Sequence, residues 1–220
     1  MALIENSKGR SVGSGYERLF GNNQLGFLFS RVQATIITSG TELEKIIINL
    51  SPQIDDLDKF LDNNSKTQGV YLISKKVIKK SKLKSKLEPD LVILKIDSNS
   101  RHCYIIELKD GDSFDTKKSD GEKDLLIKFQ NSISSKLAYT SSIHFCCFNQ
   151  NDKKKIVSGF KNKITEEMAM TGEELCAILE INFQDILKSR AVDQQQNLKY
   201  FVDELLKIDV IKKYIKIQTN

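Results

Sequence analysis

Between residues 70 and 148 the chain alternates short, dense apolar runs with polar breaks, the pattern of strands buried in a covered sheet. Leu91–Ile96 and residues 102–108 are two such runs, and the polar stretch Asp97-Ser98-Asn99-Ser100-Arg101 between them predicts a hairpin centred near Asn99. Residues 70–80, rich in Val, Ile and Tyr, predict a strand before this pair. Ile143-His144-Phe145-Cys146-Cys147-Phe148 predicts a central strand after it, and residues 156–160 a further one. Leu125, Leu126, Phe129, Ile133 and Leu137 recur at helical spacing, so a helix is expected over 122–138, with 110–122 as a loop.

Upstream, Thr41 and Glu44 have the spacing of a capping box and lead into a stripe of Leu43, Ile46, Ile47 and Leu50. Pro52 is read as the start of a second helix carrying Leu57, Phe60 and Leu61. Gly9, Gly13, Gly15, Gly21 and Gly26 predict an irregular arm over 1–34. Downstream, Thr171-Gly172-Glu173-Glu174 opens a helix bearing Leu175, Ile178 and Leu179. Residues 183–187 continue in helix, and Gln194-Gln195-Gln196 precedes an amphipathic helix with Leu198, Phe201, Val202, Leu205 and Leu206. The order predicts an α/β fold, a mixed central sheet flanked by helices, with extra helices at the C-terminus. One domain over 1–220 is expected, its core at 35–150 and its remainder, 151–220, mostly helical.

Composition narrows the class. The chain has 220 residues and 40 % apolar content, enough for one well-packed core. No apolar stretch reaches transmembrane length, and Met-Ala-Leu-Ile-Glu-Asn lacks the basic and apolar regions of a secretory signal, so a cytoplasmic protein off the membrane is expected. Cys103, Cys146, Cys147 and Cys176 form no CxxC pair and sit in apolar patterns, which suits free buried thiols. The net charge of +5 is a mild bias toward polyanions. His102 and His144, the two histidines, both fall inside apolar strands and are read as structural.

The candidate chemistry lies at the ends of the two hairpin strands. Pro89-Asp90 opens one and Glu107-Leu108-Lys109 closes the other. A hairpin centred near Asn99 mirrors Asp90 onto Leu108, beside Glu107 and Lys109. Glu107 and Lys109 are two apart and leave the same face. Charged groups at the end of an apolar strand are costly to desolvate unless paired or bound to a metal. A surface ion pair where the strand meets solvent is the competing reading.

Pro89-Asp90 with Glu107-Leu108-Lys109 resembles the signature of the PD-(D/E)XK nuclease superfamily, most of all its type II restriction endonucleases. The resemblance covers residues 35 to 150 and implies an αβββαβ core. Thr35 to Glu44 is similar to the opening helix of many restriction endonucleases, whose glutamate reaches the metal; that role falls to Glu44, with Glu42 as the alternative. The resemblance implies Mg²⁺, one or two ions per site, held by Asp90, Glu107, the Leu108 carbonyl and Glu44. It implies that Lys109 orients or deprotonates the attacking water. It also implies double-stranded DNA cut at a short sequence, a homodimer, and a cognate DNA methyltransferase in the same system.

The lysine run before Asp90 (Lys75, Lys76, Lys79, Lys80, Lys82, Lys84 and Lys86) is expected to meet DNA phosphates, with a solvated edge as the alternative. Lys117, Lys118, Lys123 and Gln130 are further DNA candidates. Arg10, Arg18, Asn22, Asn23 and Arg31 have the chemistry to read bases. Two other functions stay open: a repair or junction-resolving nuclease with the same residues, and a non-catalytic nucleic-acid-binding module.

Overall fold

The structure is a computed structural model that describes residues 3–10, 12–63, 67–84, 88–111 and 116–218. Its elements are α1 (Leu3–Asn6), α2 (Gly15–Phe20), α3 (Asn23–Leu50), α4 (Leu57–Asn63), β1 (Gly69–Ser74), α5 (Lys75–Lys80), β2 (Leu91–Ile96), β3 (Arg101–Lys109), α6 (Thr116–Ser134), β4 (Thr140–Cys147), α7 (Lys153–Gly159), β5 (Ala169–Thr171), α8 (Gly172–Leu179), α9 (Phe183–Lys207) and α10 (Asp209–Gln218). The chain divides into two compact units. One is Leu43–Phe183; the other joins Met1–Glu42 to Gln184–Asn220.

The first unit holds the sheet, in the order β1-β2-β3-β4-β5. β1, β2 and β3 form an antiparallel meander, and β4 and β5 add parallel strands. Parallel pairing needs a crossover, and α6 supplies the one from β3 to β4. Leu91, Val92, Ile93 and Leu94 are all buried, so β2 is covered on both faces. On one face Ile73, Val92, Leu94, Cys103, Ile105, Phe145 and Cys147 pack against Leu126, Phe129 and Ile133 of α6 and Leu137 just after it. The four cysteines are free and buried.

The second unit is helical. Leu25, Leu28 and Ile208 form its buried centre, with Phe29, Phe201, Leu205, Val210 and Ile211 packed around them. The Arg31 guanidinium lies over the Tyr200 ring and donates to its hydroxyl at 2.6 Å. Among the described residues no helix is long and apolar enough to cross a membrane.

Several expectations change. Where an irregular arm is expected over 1–34, the described residues form α1, α2 and the start of α3, and 7–10 and 12–14 are non-helical; Gly21 caps α2 in the left-handed conformation, and α3 already starts at Asn23. The expected cap at Thr41 lies inside α3, which runs through Ser39-Gly40-Thr41 without a break. The Thr38 and Ser39 hydroxyls donate back to helix carbonyls, and one interior glycine costs only about 1 kcal/mol. Pro52 starts no helix. Its carbonyl accepts from the Leu72 N–H, and Asp56 accepts from the Lys59 N–H at the start of α4. The strand expected over 70–80 is β1 followed by α5. The strand expected over 156–160 is helix α7, capped by Asp152 accepting from the Lys154 N–H. The loop expected over 110–122 gives way to α6 at Thr116. β5 and α10 have no counterpart in the sequence pattern; β5 has three residues and carries too short a signal. Thr171 does form a capping box with Glu174 at the start of α8.

Candidate active site

Strand register builds the site. Tyr71, Leu94 and Cys103 form one transverse row across β1, β2 and β3, and Ile73, Val92 and Ile105 form the next. Two residues further along each strand, one step past the last paired residue, the same face carries Lys75, Asp90 and Glu107. The hairpin turns tightly at Ser98 and Asn99, with the Asp97 N–H donating to the Ser100 carbonyl at 2.9 Å. This shifts the expected register by one residue. Asp90 therefore continues the ladder opposite Glu107, and not opposite Leu108 as a hairpin centred on Asn99 would have it. Leu108 meets Asp90 through its backbone instead, its N–H donating to Asp90 Oδ2 at 2.8 Å.

The other Asp90 oxygen is held by a lysine. Lys75 Nζ donates to Asp90 Oδ1 at 2.5 Å and lies 3.9 Å from Glu44 Oε2. Lys109 leaves the same face as Glu107, and its Nζ donates to Glu107 Oε1 at 2.6 Å and to Glu122 Oε1 at 2.7 Å. Glu122 belongs to the stripe of α6 that carries Leu126, Phe129 and Ile133, one turn nearer the start of the helix. A helix face that covers Cys103 and Ile105 thus reaches Lys109 at its polar end. The Glu122 side chain is 11 % exposed, and its buried Oε2 has no hydrogen-bond partner among the described residues.

Among the described residues four half-buried carboxylates therefore surround two half-buried ammonium groups, which leaves carboxylates in excess. Burial, then the Asp90 charge, pushes the Glu107 carboxyl up to about 7 against the pull of Lys109. Burial likewise raises Glu44, with Asp90 adding to it and Lys75 opposing. Burial disfavours the charged forms of Lys75 and Lys109, but their carboxylate partners win and raise both above the usual lysine value. Both lysines are held as cations. Among the described residues, no group of three or more Asp, Glu, His and Cys side chains stands ready to hold a metal ion. An ammonium occupies one oxygen of Asp90 and one of Glu107.

Type II restriction enzyme HhaII of Haemophilus parahaemolyticus is 44 % identical to this chain over an alignment of 225 residues, which spans 98 % of the chain and 99 % of the relative. The chain belongs to the type II restriction enzymes. It is accordingly a site-specific deoxyribonuclease. No family model and no solved structure matches it.

Within this restriction enzyme the sequence-predicted residues separate. Asp90, Glu107, Lys109 and Glu44 come together; Glu42 falls in the other compact unit. Lys75, which the sequence groups with the DNA-facing run, sits among the carboxylates. Glu122 has no place among the sequence-predicted residues, and its signal is its position on the α6 stripe. Lys80 and Lys84 are exposed. Lys82 is exposed too, but Asp58 accepts from its N–H and Asp62 faces its ammonium at 3.5 Å. The Lys82 carbonyl accepts from Lys136, beyond the last turn of α6, so Glu122 lies about 18 Å back along that helix. Gln130 is half-buried, and its amide N–H₂ donates to Ser141, tying α6 to β4. Lys123 donates to the Lys163 carbonyl. Lys86 and the side chains of Lys117 and Lys118 lie outside the described residues. Of the base-reading candidates, Arg31 is committed to Tyr200, Arg18 donates to the Gly13 carbonyl, and Asn22 accepts from the Leu25 N–H at the start of α3.

Proposed function

We propose that this enzyme is a Mg²⁺-dependent endonuclease of the PD-(D/E)XK superfamily that hydrolyses phosphodiester bonds in double-stranded DNA at a short sequence. The observation that carries the proposal is the row of Asp90 and Glu107 at adjoining strand ends, with Lys109 on the same face and a carboxylate excess around them. Mg²⁺ fits the donor set. Carboxylate oxygens are hard ligands, and among the described residues carboxylates outnumber ammonium groups and a buried oxygen of Glu122 has no partner. Asp90 and Glu107, with the Leu108 carbonyl and Glu44, would hold one or two ions. When bound, the ion supplies Lewis-acid polarisation of the phosphodiester.

The chain's own residues do the rest. Glu107 and Glu122 hold the Lys109 ammonium from two sides and keep it charged, so it stabilises charge growing on the phosphate and orients the water. A lysine held as a cation in this way suits the orienting role better than the deprotonating one, the two roles that the resemblance implies. The Leu108 N–H fixes Asp90, and Glu44 closes the acidic side of the site. The enzyme would act as one subunit of a homodimer, each copy cutting one strand of a palindrome, in a system that also contains a DNA methyltransferase.

The test is direct. Plasmid DNA is incubated with purified protein and Mg²⁺, and the fragment ends are sequenced. Discrete ends at one short motif, lost on chelation, are expected. Undiminished cutting in chelator would remove the metal from the proposal. Cleavage confined to branched DNA would point to junction resolution, and retarded but intact DNA to a binding module.

A further inference from the structure

Resting on the metal-dependent reading above, we propose that Lys75 is a positioning residue that stands in for the metal in the DNA-free enzyme and must give way when the ion binds. The two oxygens of Asp90 are held differently. Oδ2 is taken by the Leu108 N–H, which belongs to the backbone and cannot withdraw. Oδ1 is the oxygen on which Asp90 already meets a cation, the Lys75 ammonium at 2.5 Å. The same ammonium faces Glu44, the second carboxylate assigned to the ion. Lys75 is thus the cation of the metal-free site on its Glu44–Asp90 side, as Lys109 is on its Glu107–Glu122 side.

Position separates the two lysines. Lys109 ends a central strand, is 15 % exposed and is gripped by two short hydrogen bonds. Lys75 opens the short helix α5 beside edge strand β1, is 34 % exposed, and has one short bond and one longer contact. Lys75 is the ammonium that can swing toward solvent, where its long aliphatic stem keeps the charge hydrated. Its departure opens Asp90 Oδ1 and the facing Glu44 oxygen together. The affinity for a divalent cation is then the intrinsic affinity reduced by the free energy of the Lys75 pairs, as for any competing ligand.

The experiment is Mn²⁺ binding to DNA-free protein, read by calorimetry and by the loss of the free-ion electron paramagnetic resonance signal. Wild type is compared with Lys75→Met, Lys75→Gln, Lys76→Met and Asp90→Asn. Lys76 is exposed next door and controls for the loss of one nearby charge. Lys75→Met and Lys75→Gln are expected to bind Mn²⁺ about tenfold more tightly than wild type, in keeping with one charge-assisted hydrogen bond. Lys76→Met is expected to change the affinity less than about twofold, the scale of an exposed charge. Mn²⁺ should also raise the melting temperature of the Lys75 variants more than that of wild type, which an inert structural lysine would not produce. Unchanged or weaker binding in both Lys75 variants, with binding lost in Asp90→Asn, overturns the role of Lys75 and leaves the metal reading standing. Equal tightening in Lys76→Met overturns it as well. Wild-type binding by Asp90→Asn overturns the metal reading itself.

Discussion

Two polar clusters flank β3 on its opposite faces, and they are built on opposite principles. Along the one that starts at the hairpin end and runs up β4 to His144, every group is neutral and nearly every bond is closed. Thr140 donates its hydroxyl to the Arg101 carbonyl, so it accepts from His102 Nδ1 at 2.9 Å. His102 Nε2 then accepts from Ser142 at 2.7 Å, and Ser142 accepts from His144 Nε2 at 2.7 Å. Burial, reinforced by His102, pulls the His144 imidazole down to about 4, so the chain of bonds stays uncharged at neutral pH. In the other cluster Glu44, Asp90, Glu107 and Glu122 outnumber Lys75 and Lys109. Among the described residues each cluster contains one buried atom without a partner, His144 Nδ1 and Glu122 Oε2, but only the second belongs to a site where carboxylates outnumber ammonium groups. A closed neutral chain asks for nothing from outside. A carboxylate excess calls for a cation, and that asymmetry separates a structural cluster from a working one.

The largest expected effect lies in the charged cluster. Lys109→Ala should slow cleavage at least about a thousandfold, measured under single-turnover conditions, because the cation facing the reacting phosphate is gone. DNA binding and the far-ultraviolet circular dichroism should persist. In the neutral cluster, Ser142→Ala should leave the cleavage rate within about twofold and cost only about 1 kcal/mol in denaturant unfolding. A large loss of rate there would erase the contrast.

Glu122→Gln comes next. It keeps an acceptor near Lys109 but removes one of the two charges that aim the ammonium. Cleavage should fall about ten- to a hundredfold with DNA affinity little changed, the scale of other orienting residues. Wild-type turnover in this variant would reduce Glu122 to a packing residue.

The pH dependence of stability sharpens the contrast further. Glu107 is held at about 7 in the folded metal-free protein against an ordinary 4.5. The folded state therefore binds its proton more tightly than the unfolded chain. The resulting stability is fully present below about pH 4.5 and is lost as pH rises through about 7. Relative to Glu107→Gln, metal-free wild type should melt at progressively lower temperature between about pH 5 and pH 8. Parallel melting curves for the two proteins would show that the excess charge is relieved elsewhere.

The smallest effect is expected from the lysine run. Replacing Lys80 and Lys84 with alanine should reduce the salt slope of DNA binding by no more than about two, since each phosphate contact contributes about 0.9. An unchanged slope would assign both to a solvated surface.

Much of the fold and part of the site are legible in the sequence. The meander, the α6 crossover and β4 follow from dense apolar runs and one helical stripe. Asp90, Glu107 and Lys109 follow from charge at the ends of those runs. The rest is hidden for identifiable reasons. A two-residue turn moves the hairpin register by one position, which no apolar pattern specifies when β2 is buried on both faces. Lys75 looks like one of many lysines because β1 and α5 merge into a single run; the alternation Tyr71, Ile73, Lys75 is the available clue. Glu122 borders a stretch whose composition suits a loop, although it sits one turn from Leu126 on the same stripe. Gly40 and Pro52 mislead because each is a breaker by propensity; the first costs α3 only about 1 kcal/mol, and a loop absorbs the second.

If the Asp90–Glu107 row is where DNA is cut, the most direct test is the single-turnover rate of Asp90→Asn on plasmid DNA with Mg²⁺, in a variant shown to melt cooperatively and to bind DNA. Discrete fragments are expected from wild type, and no product from the variant over the same time. Cleavage by Asp90→Asn at the wild-type rate would contradict that assignment.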